Sequence, residues 1–186
     1  MKCLAILGSP RKGANSSIIA QTMLDTASKL GAITETFVLK DMDYSGCIAC
    51  NSCKTKTVSC VLEDDLTQVL ESIKSADIMI LATPNYFGEV SGQFKCFFDR
   101  TYSFLNPDYT GRLDPGKKSV FILTQGNPDP KAYPSIYPRH ERWLKVYGFG
   151  ENELVVAAGV QKPGQVEGKQ DLLRQTEALI RRWMVS

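Results

Sequence analysis

"CLAILGSPRKGANSSIIAQTMLDTASKL" runs from Cys3 to Leu30. Its first part, Cys3–Gly8, is a short and nearly continuous apolar run, as expected of a strand buried on both faces. From Ser16 to Leu30 the apolar residues Ile19, Ala20, Met23, Leu24, Ala27 and Leu30 form a helical stripe, and Gly31 is a natural stop. Between strand and helix lies a polar loop, "GSPRKGANSS" (Gly8–Ser17). Strand, polar loop and amphipathic helix together make the first half of a βαβ unit.

The same alternation continues along the chain. Ile33, Glu35, Phe37 and Leu39 occupy alternate positions of a second strand. Asp64 or Asp65 is placed to cap a helix carrying Leu66, Val69, Leu70 and Ile73. "DIMILAT" (Asp77–Thr83) reads as a third strand that Pro84 ends, and Val90, Phe94, Phe97, Phe98 and Thr101 as a helix. "SVFILTQG" (Ser119–Gly126) is a fourth strand, followed by a Pro-rich stretch and a helix over Glu141–Tyr147. "ELVVAAG" (Glu153–Gly159) is the fifth, before a last helix with Leu172, Leu173, Leu179, Ile180 and Trp183. Five such alternations predict an α/β three-layer sandwich around a parallel sheet of order 2-1-3-4-5. With no repeat, linker or low-complexity tract, residues 1–186 read as one domain.

In such a sheet, ligands bind at the carboxyl ends of the strands. The first loop is not a Walker loop, because no Lys-Ser/Thr pair follows Gly13, and it is not G-x-G-x-x-G. It offers Ser9, Asn15, Ser16 and Ser17, with the guanidinium of Arg11, at or before a helix N-terminus. Free N–H groups and the helix dipole favour an anion there, and Arg11 can add a charge-assisted contact. The plain alternative is that Asn15 or Ser16 caps the helix, which explains one polar residue but not the other four.

Composition excludes several classes. The net charge is +2 and the basic residues are scattered, so no nucleic-acid partner is indicated. No apolar run approaches the ~20 residues that span a membrane. The opening apolar run stops at Gly8 with no cleavage site after it, which reads as the first strand of a cytoplasmic protein rather than a leader. The lone histidine, His140, has no Ser or Cys partner by pattern and reads as a surface residue, so a hydrolytic triad is not expected. Lys95, Asp99 and Arg100 read as a solvated helix face, and Cys3 and Cys96 as inert core thiols.

Four of the six cysteines fall in "CIACNSCKTKTVSC" (Cys47–Cys60), within a cysteine-rich loop at about 44–63. Cys47, Cys50, Cys53 and Cys60 have the spacing C-x2-C-x2-C-x6-C. In a reducing compartment this leans toward metal or redox chemistry. Two consecutive C-x2-C steps let one turning loop aim three thiolates at one centre, and the longer step brings a fourth. Structural zinc more often draws two separated pairs, whereas ferredoxins use a similarly dense run for a cubane cluster. Cluster, zinc and redox disulfide all remain open on spacing alone.

"GSPRKGANSS", "TPNYFGEVSGQFKCFFDR" (Thr83–Arg100) and "TQG" (Thr124–Gly126) resemble the NAD(P)H-dependent FMN reductase and iron–sulfur flavoprotein superfamily. The resemblance covers nearly the whole chain and implies a flavodoxin-like fold. It implies FMN, with its phosphate on Ser9, Arg11, Asn15, Ser16 and Ser17. Pro84, Asn85, Tyr86, Phe87 and Gly88 would line the isoalloxazine, with Thr124, Gln125 and Gly126 nearby. The same resemblance implies a [4Fe–4S] cluster on the four clustered cysteines and a homodimer or homotetramer in which that cluster approaches a neighbour's flavin.

The expected function is thus an FMN-dependent oxidoreductase that passes electrons to a cluster, with ferredoxin or NAD(P)H as donor. The flavin carries the redox chemistry, so no catalytic acid or base is assigned. The rivals are an NAD(P)H-dependent FMN, quinone or nitro reductase without a cluster, and a non-enzymatic redox- or metal-sensing module.

Overall fold

The computed structural model describes residues 1–185. Its strands are β1 (Lys2–Leu7), β2 (Ile33–Val38), β3 (Ile78–Tyr86), β4 (Glu89–Val90), β5 (Lys117–Thr124) and β6 (Phe149–Ala157). Its α-helices are α1 (Asn15–Lys29), α2 (Ser52–Thr55), α3 (Leu66–Ser75), α4 (Gly92–Arg100), α5 (Ile136–Tyr147) and α6 (Gln170–Met184). The main sheet runs β2-β1-β3-β5-β6, all neighbours parallel. Counting the five long strands in chain order, this is the expected 2-1-3-4-5 arrangement.

Side chains along the central strands alternate between two cores. Leu4, Ile6, Met79 and Leu81 pack beneath α3, α4 and α5, against residues such as Leu70, Phe94 and Leu144. Cys3, Ala5, Leu7, Ile78, Ile80 and Ala82 pack beneath α1 and α6, against Ile19, Met23, Ile180 and Trp183. Strands buried on both faces can be apolar throughout, which is why β1 and β3 read as unbroken runs. Among the described residues no helix is long and apolar enough to cross a membrane.

The five-strand expectation needs one correction, because a sixth strand exists. β3 does not stop at Pro84 but runs on to Tyr86, and β4 folds back antiparallel on it, pairing Asn85 with Val90 and Tyr86 with Glu89. The proline is tolerated for a topological reason. Ala82 O accepts from Gly8 N, so Ala82 and, two residues on, Pro84 direct their backbone groups toward β1. β1 has already ended at Leu7, so the missing N–H of Pro84 removes no ladder bond.

Helix α5 begins at Ile136, five residues before the expected Glu141. Pro138 obscured that start, yet it sits in the first turn, where an N–H has no intrahelical acceptor in any case. The longer helix puts His140 on the same face as Ile136, Leu144 and Tyr147, and it is buried rather than on the surface. The two remaining minor expectations divide. Cys3 is an inert core thiol, pushed up to about 12 by burial, whereas Cys96 is exposed on α4.

One contact sets the geometry at the carboxyl edge. Gly8 N donates to Ala82 O (2.8 Å) while Gly8 O accepts from Ser91 Oγ (2.5 Å), and Ser91 in turn caps α4 through Phe94 N (3.3 Å). A Cβ at Gly8 would lie 2.8 Å from Phe94 Cβ and 3.3 Å from Ala82 O. Gly8→Ala is therefore expected to destabilise the fold by about 1–3 kcal/mol through overpacking. Thermal and urea denaturation measure this; unchanged stability would show that the first loop and α4 do not meet this closely.

Candidate functional site

Three loops leave the carboxyl edge of β1, β3 and β5 and enclose a cleft of about 360 Å³. Ser9, Arg11 and Asn15 line it from the first loop, Pro84, Asn85 and Tyr86 from the second, and Thr124, Gln125 and Gly126 from the third. Ala14, Val160, Gln161 and Pro163 complete the wall and were missed in the sequence. The last three follow β6 at the same sheet edge, and that position was the signal available for them.

The helix end facing this cleft has no cap of its own. Ala14 stands at the N-cap position of α1 with no side-chain acceptor. The first intrahelical bond runs from Ile18 N to Ala14 O, which leaves the N–H groups of Asn15, Ser16 and Ser17 without an intrahelical acceptor. Ser16 is buried beside them and its Oγ has no hydrogen-bond partner. Asn15 does not serve as the cap. Its Nδ2 donates to Lys162 O (2.9 Å) and its Oδ1 accepts from Val166 N (3.0 Å), so its amide ties the first loop to the segment after β6. Arg11 uses Nη1 in the same way, donating to Gln161 O (2.7 Å), and the rest of its guanidinium stays open to solvent.

Two more buried polar atoms are unpartnered, and they lie on the other two loops. Asn85 Oδ1 accepts from Gly88 N (2.9 Å), leaving Nδ2 without an acceptor. Gln125 Nε2 donates to Asp129 O (2.6 Å), leaving Oε1 without a donor. Each such group carries a desolvation penalty of about 1–3 kcal/mol unless something satisfies it. A ligand with an anionic end for the α1 terminus and a ring bearing both donors and acceptors would satisfy all three atoms. FMN has that chemistry, so these residues fit it.

The remaining predicted site residues lie apart from the cleft lining. Ser17 is half-buried in the first turn of α1. Phe87 and Gly88 form the turn between β3 and β4, both with positive φ (53° and 81°). Gly88 lies toward Tyr133, and Phe87 projects fully into solvent rather than lining the pocket. A phenylalanine at positive φ is an outlier, and its exposed ring stands at the edge of the cleft.

The cysteine loop passes from the sheet onto α4. It leaves β2 and then runs along α4 toward that helix's C-terminus. Tyr44 OH donates to Gln93 O (3.0 Å), Gly46 passes close to Cys96 Sγ, and Arg100 gathers the loop's two ends. Arg100 was expected on a solvated face; instead it is buried, while Lys95 and Asp99 are exposed and pair with each other. Arg100 Nη1 donates to Ser45 O (2.9 Å) and Asp64 Oδ2 (2.6 Å). Its Nη2 donates to Leu62 O (3.1 Å) and Asp64 Oδ1 (3.1 Å), and its Nε to Cys60 Sγ (3.1 Å). Asp64, not Asp65, caps α3, accepting from Leu66 N (3.1 Å).

Two further cations hold the loop's middle. Lys54 Nζ donates to Tyr102 O and Leu105 O (2.5 and 2.6 Å), and Arg112 Nη2 donates to Cys53 O (2.9 Å). Ala49 and Asn51 take positive φ (53° and 56°), which winds the chain between the first three cysteines. Cys47, Cys50, Cys53 and Cys60 all line one small cavity with Arg100 and Tyr102. The backbone N–H and hydroxyl of Ser52 hold the Cys50 thiol below its ordinary range. All four thiols are free. Among the described residues no three metal-ligating side chains converge as they would around a single ion. The four thiols nonetheless line one cavity among cationic side chains, and four cysteines are the soft donor set that iron–sulfur clusters use.

An uncapped helix terminus beside a polar cleft at the carboxyl edge of a parallel sheet is the arrangement of a flavodoxin-like fold. The family described as NADPH-dependent FMN reductase matches residues 1–127. An iron–sulfur flavoprotein of Methanosarcina thermophila is 37% identical over 149 residues, 80% of this chain and 75% of that one. An iron–sulfur flavoprotein of Methanocaldococcus jannaschii is 39% identical over 101 residues, 54% of this chain and 52% of that one, so the match spans about half of that relative's length. A Bacillus anthracis FMN-dependent NADH-azoreductase solved with FMN superposes with a TM-score of 0.75 at 17% identity, covering 99% of this chain and 100% of that one; this likeness concerns the fold. The chain belongs to the NADPH-dependent FMN reductase family, and it is an FMN-dependent oxidoreductase.

Replacing Arg100 tests the loop's anchoring. Arg100→Met leaves Asp64 without its guanidinium and is expected to cost about 3 kcal/mol, the lower end for a broken buried pair. Hydrogen exchange over 45–64 should quicken more than elsewhere. The pH dependence follows from Asp64. Burial pushes its carboxyl up, but the Arg100 hydrogen bonds and the Ser45 N–H outweigh this and hold it below 3.8. A depressed carboxyl stabilises fully above its unfolded value, so the clamp's contribution is lost as pH falls through the lowered native value. Equal exchange in wild type and Arg100→Met at neutral pH would refute the clamp.

Proposed function

We propose that this FMN-dependent oxidoreductase is of the iron–sulfur flavoprotein type, with a [4Fe–4S] cluster on Cys47, Cys50, Cys53 and Cys60. The observation that carries the flavin part is the set of three unpartnered buried atoms, Ser16 Oγ, Asn85 Nδ2 and Gln125 Oε1, one on each loop of a single cleft. The α1 terminus, Ser9 and Arg11 hold the phosphate; Asn85 and Gln125 orient the ring; Tyr86 and Pro84 shield it from water. Asn15 positions the first loop against the segment after β6 rather than touching the ligand. Bound FMN accepts electrons in pairs and can release them singly, which matches a one-electron cluster to a hydride donor such as NAD(P)H; ferredoxin is the other donor to test.

The path of the cysteine loop supports a homo-oligomer. α4 starts at the cleft, where Ser91 bonds Gly8 O, and ends at Arg100, beside Cys60. Nine residues of helix span about 13 Å, so cleft and cysteines stand at opposite ends of α4 within one subunit. A second subunit bringing its cysteine loop to this cleft would shorten that gap, and the exposed Phe87 ring marks an apolar contact point at the cleft's edge. A dimer or tetramer in the cytoplasm is the assembly this reading requires.

Four measurements test the proposal. Denaturation should release FMN, identified by mass, and anaerobic protein should contain iron and acid-labile sulfide in equal amounts. Arg11→Ala should weaken FMN binding roughly ten- to a hundredfold by loss of a charge-assisted bond. Cys50→Ser should lower the iron content while FMN stays bound. FMN without iron would leave a nicotinamide-dependent reductase of FMN, quinones or nitro compounds. Recovery of FAD would overturn the cleft assignment.

A further inference from the structure

A second cavity, of about 390 Å³, lies in the groove between α4 and α5, at the small end of the range for small-molecule sites. Phe98, Tyr102, Tyr109, Trp143 and Tyr147 wall it, and His140 forms part of its floor. His140 is only 5% exposed. Its ring packs against Phe98 (4.7 Å between centroids) and Phe121 (5.1 Å). Its Nδ1 lies 2.8 Å from Ile136 O. A carbonyl only accepts, so Nδ1 carries the proton. Burial lowers the imidazole's pKa against the pull of Ile136 O, which keeps the ring neutral near pH 7. Nε2 is then a lone-pair acceptor on a ring that lines the cavity.

The charges facing the groove are already matched. Arg139 pairs with Glu89 (2.6 Å) and Lys95 with Asp99 (2.5 Å), so the rim has no spare charge to hold an ion. Aromatic walls with an imidazole acceptor among them call for a flat ring bearing a donor. We propose that the groove between α4 and α5 binds an uncharged hydroxy-aromatic ligand of the phenol or hydroquinone class, whose hydroxyl donates to His140 Nε2. Tyr102 also walls the cysteine cavity, and Glu89 belongs to the hairpin that borders the first cleft. A ring in this groove therefore lies between the two regions assigned to redox chemistry, without touching either set of cofactor-binding residues.

The test uses FMN-saturated protein and two redox-inert probes, 2-naphthol and 2-methoxynaphthalene. They share a ring system but only the first has a hydroxyl proton. Because His140 is the chain's single histidine, imidazole 15N signals report it without ambiguity. The expected result is that 2-naphthol binds roughly five- to tenfold more tightly, as one neutral hydrogen bond implies, and shifts the Nε2 signal. His140→Phe should abolish that preference with FMN retained. Tyr109→Ser, at an exposed wall position, should weaken both probes alike. Equal affinity for the two probes, an unmoved Nε2 signal, or displacement of FMN by either probe would overturn the proposal. So would failure of both to bind because a second copy of the chain covers the groove.

Discussion

Everything at the carboxyl edge depends on the absence of a side chain at Gly8. Its N–H reaches Ala82 on β3, its carbonyl receives Ser91, and Phe94 fills the space a Cβ would need. These contacts fix three things together: where β1 ends, how far β3 continues past it, and where α4 begins. Because β1 stops at Leu7, Pro84 can sit in β3 without loss, and the strand can run on to place Asn85 and Tyr86 over the cleft. The three unpartnered polar atoms, Ser16 Oγ, Asn85 Nδ2 and Gln125 Oε1, stand on the three loops that this scaffold brings to one edge.

Helix α4 carries this constraint to the opposite end of the molecule. Its first turn is capped by Ser91 at the flavin cleft; its last residue, Arg100, holds both ends of the cysteine loop. Its apolar side, Phe94, Phe97 and Phe98, is locked in the larger core. A rigid, two-ended strut of this kind keeps cleft and cysteines apart in one chain as firmly as it positions each. The separation is thus a built feature of the fold.

The sheet was readable because β1, β3 and β5 are buried on both faces and announce themselves as apolar runs, and because polar loops cluster at one edge. Ser9, Arg11, Asn15, Asn85 and Gln125 were readable as residues of one cleft, and the structure adds that the Asn15 amide also ties the first loop to the segment after β6. No local pattern shows that its amide is consumed by Lys162 and Val166, nearly the whole chain length away. Arg100 and His140 were misplaced for the same kind of reason. Helical periodicity in a short, Pro-interrupted or charge-bearing segment does not say which face is covered, and here the covering elements are the cysteine loop and the neighbouring helix. Phe87 read as a ring for stacking, whereas the tight turn into β4 turns it outward.

The cysteine loop illustrates how charge can replace a core. Residues 44–63 contain few buried apolar side chains, yet Arg100, Arg112 and Lys54 hold them through carbonyls, a carboxylate and one thiol. These cations do two jobs that pull in the same direction. They satisfy backbone carbonyls that would otherwise be stranded beneath the loop, and they surround a cavity lined by four thiols with positive potential. Thiolates gathered in one place would repel each other, and the buried Arg100 with the half-buried Lys54 and Arg112 would offset that repulsion. Arg100 has a single carboxylate partner, Asp64, on one side and Cys60 on the other. The loop is thus tied to α4 and to the segment after it by side chains of the protein itself rather than by a core of its own.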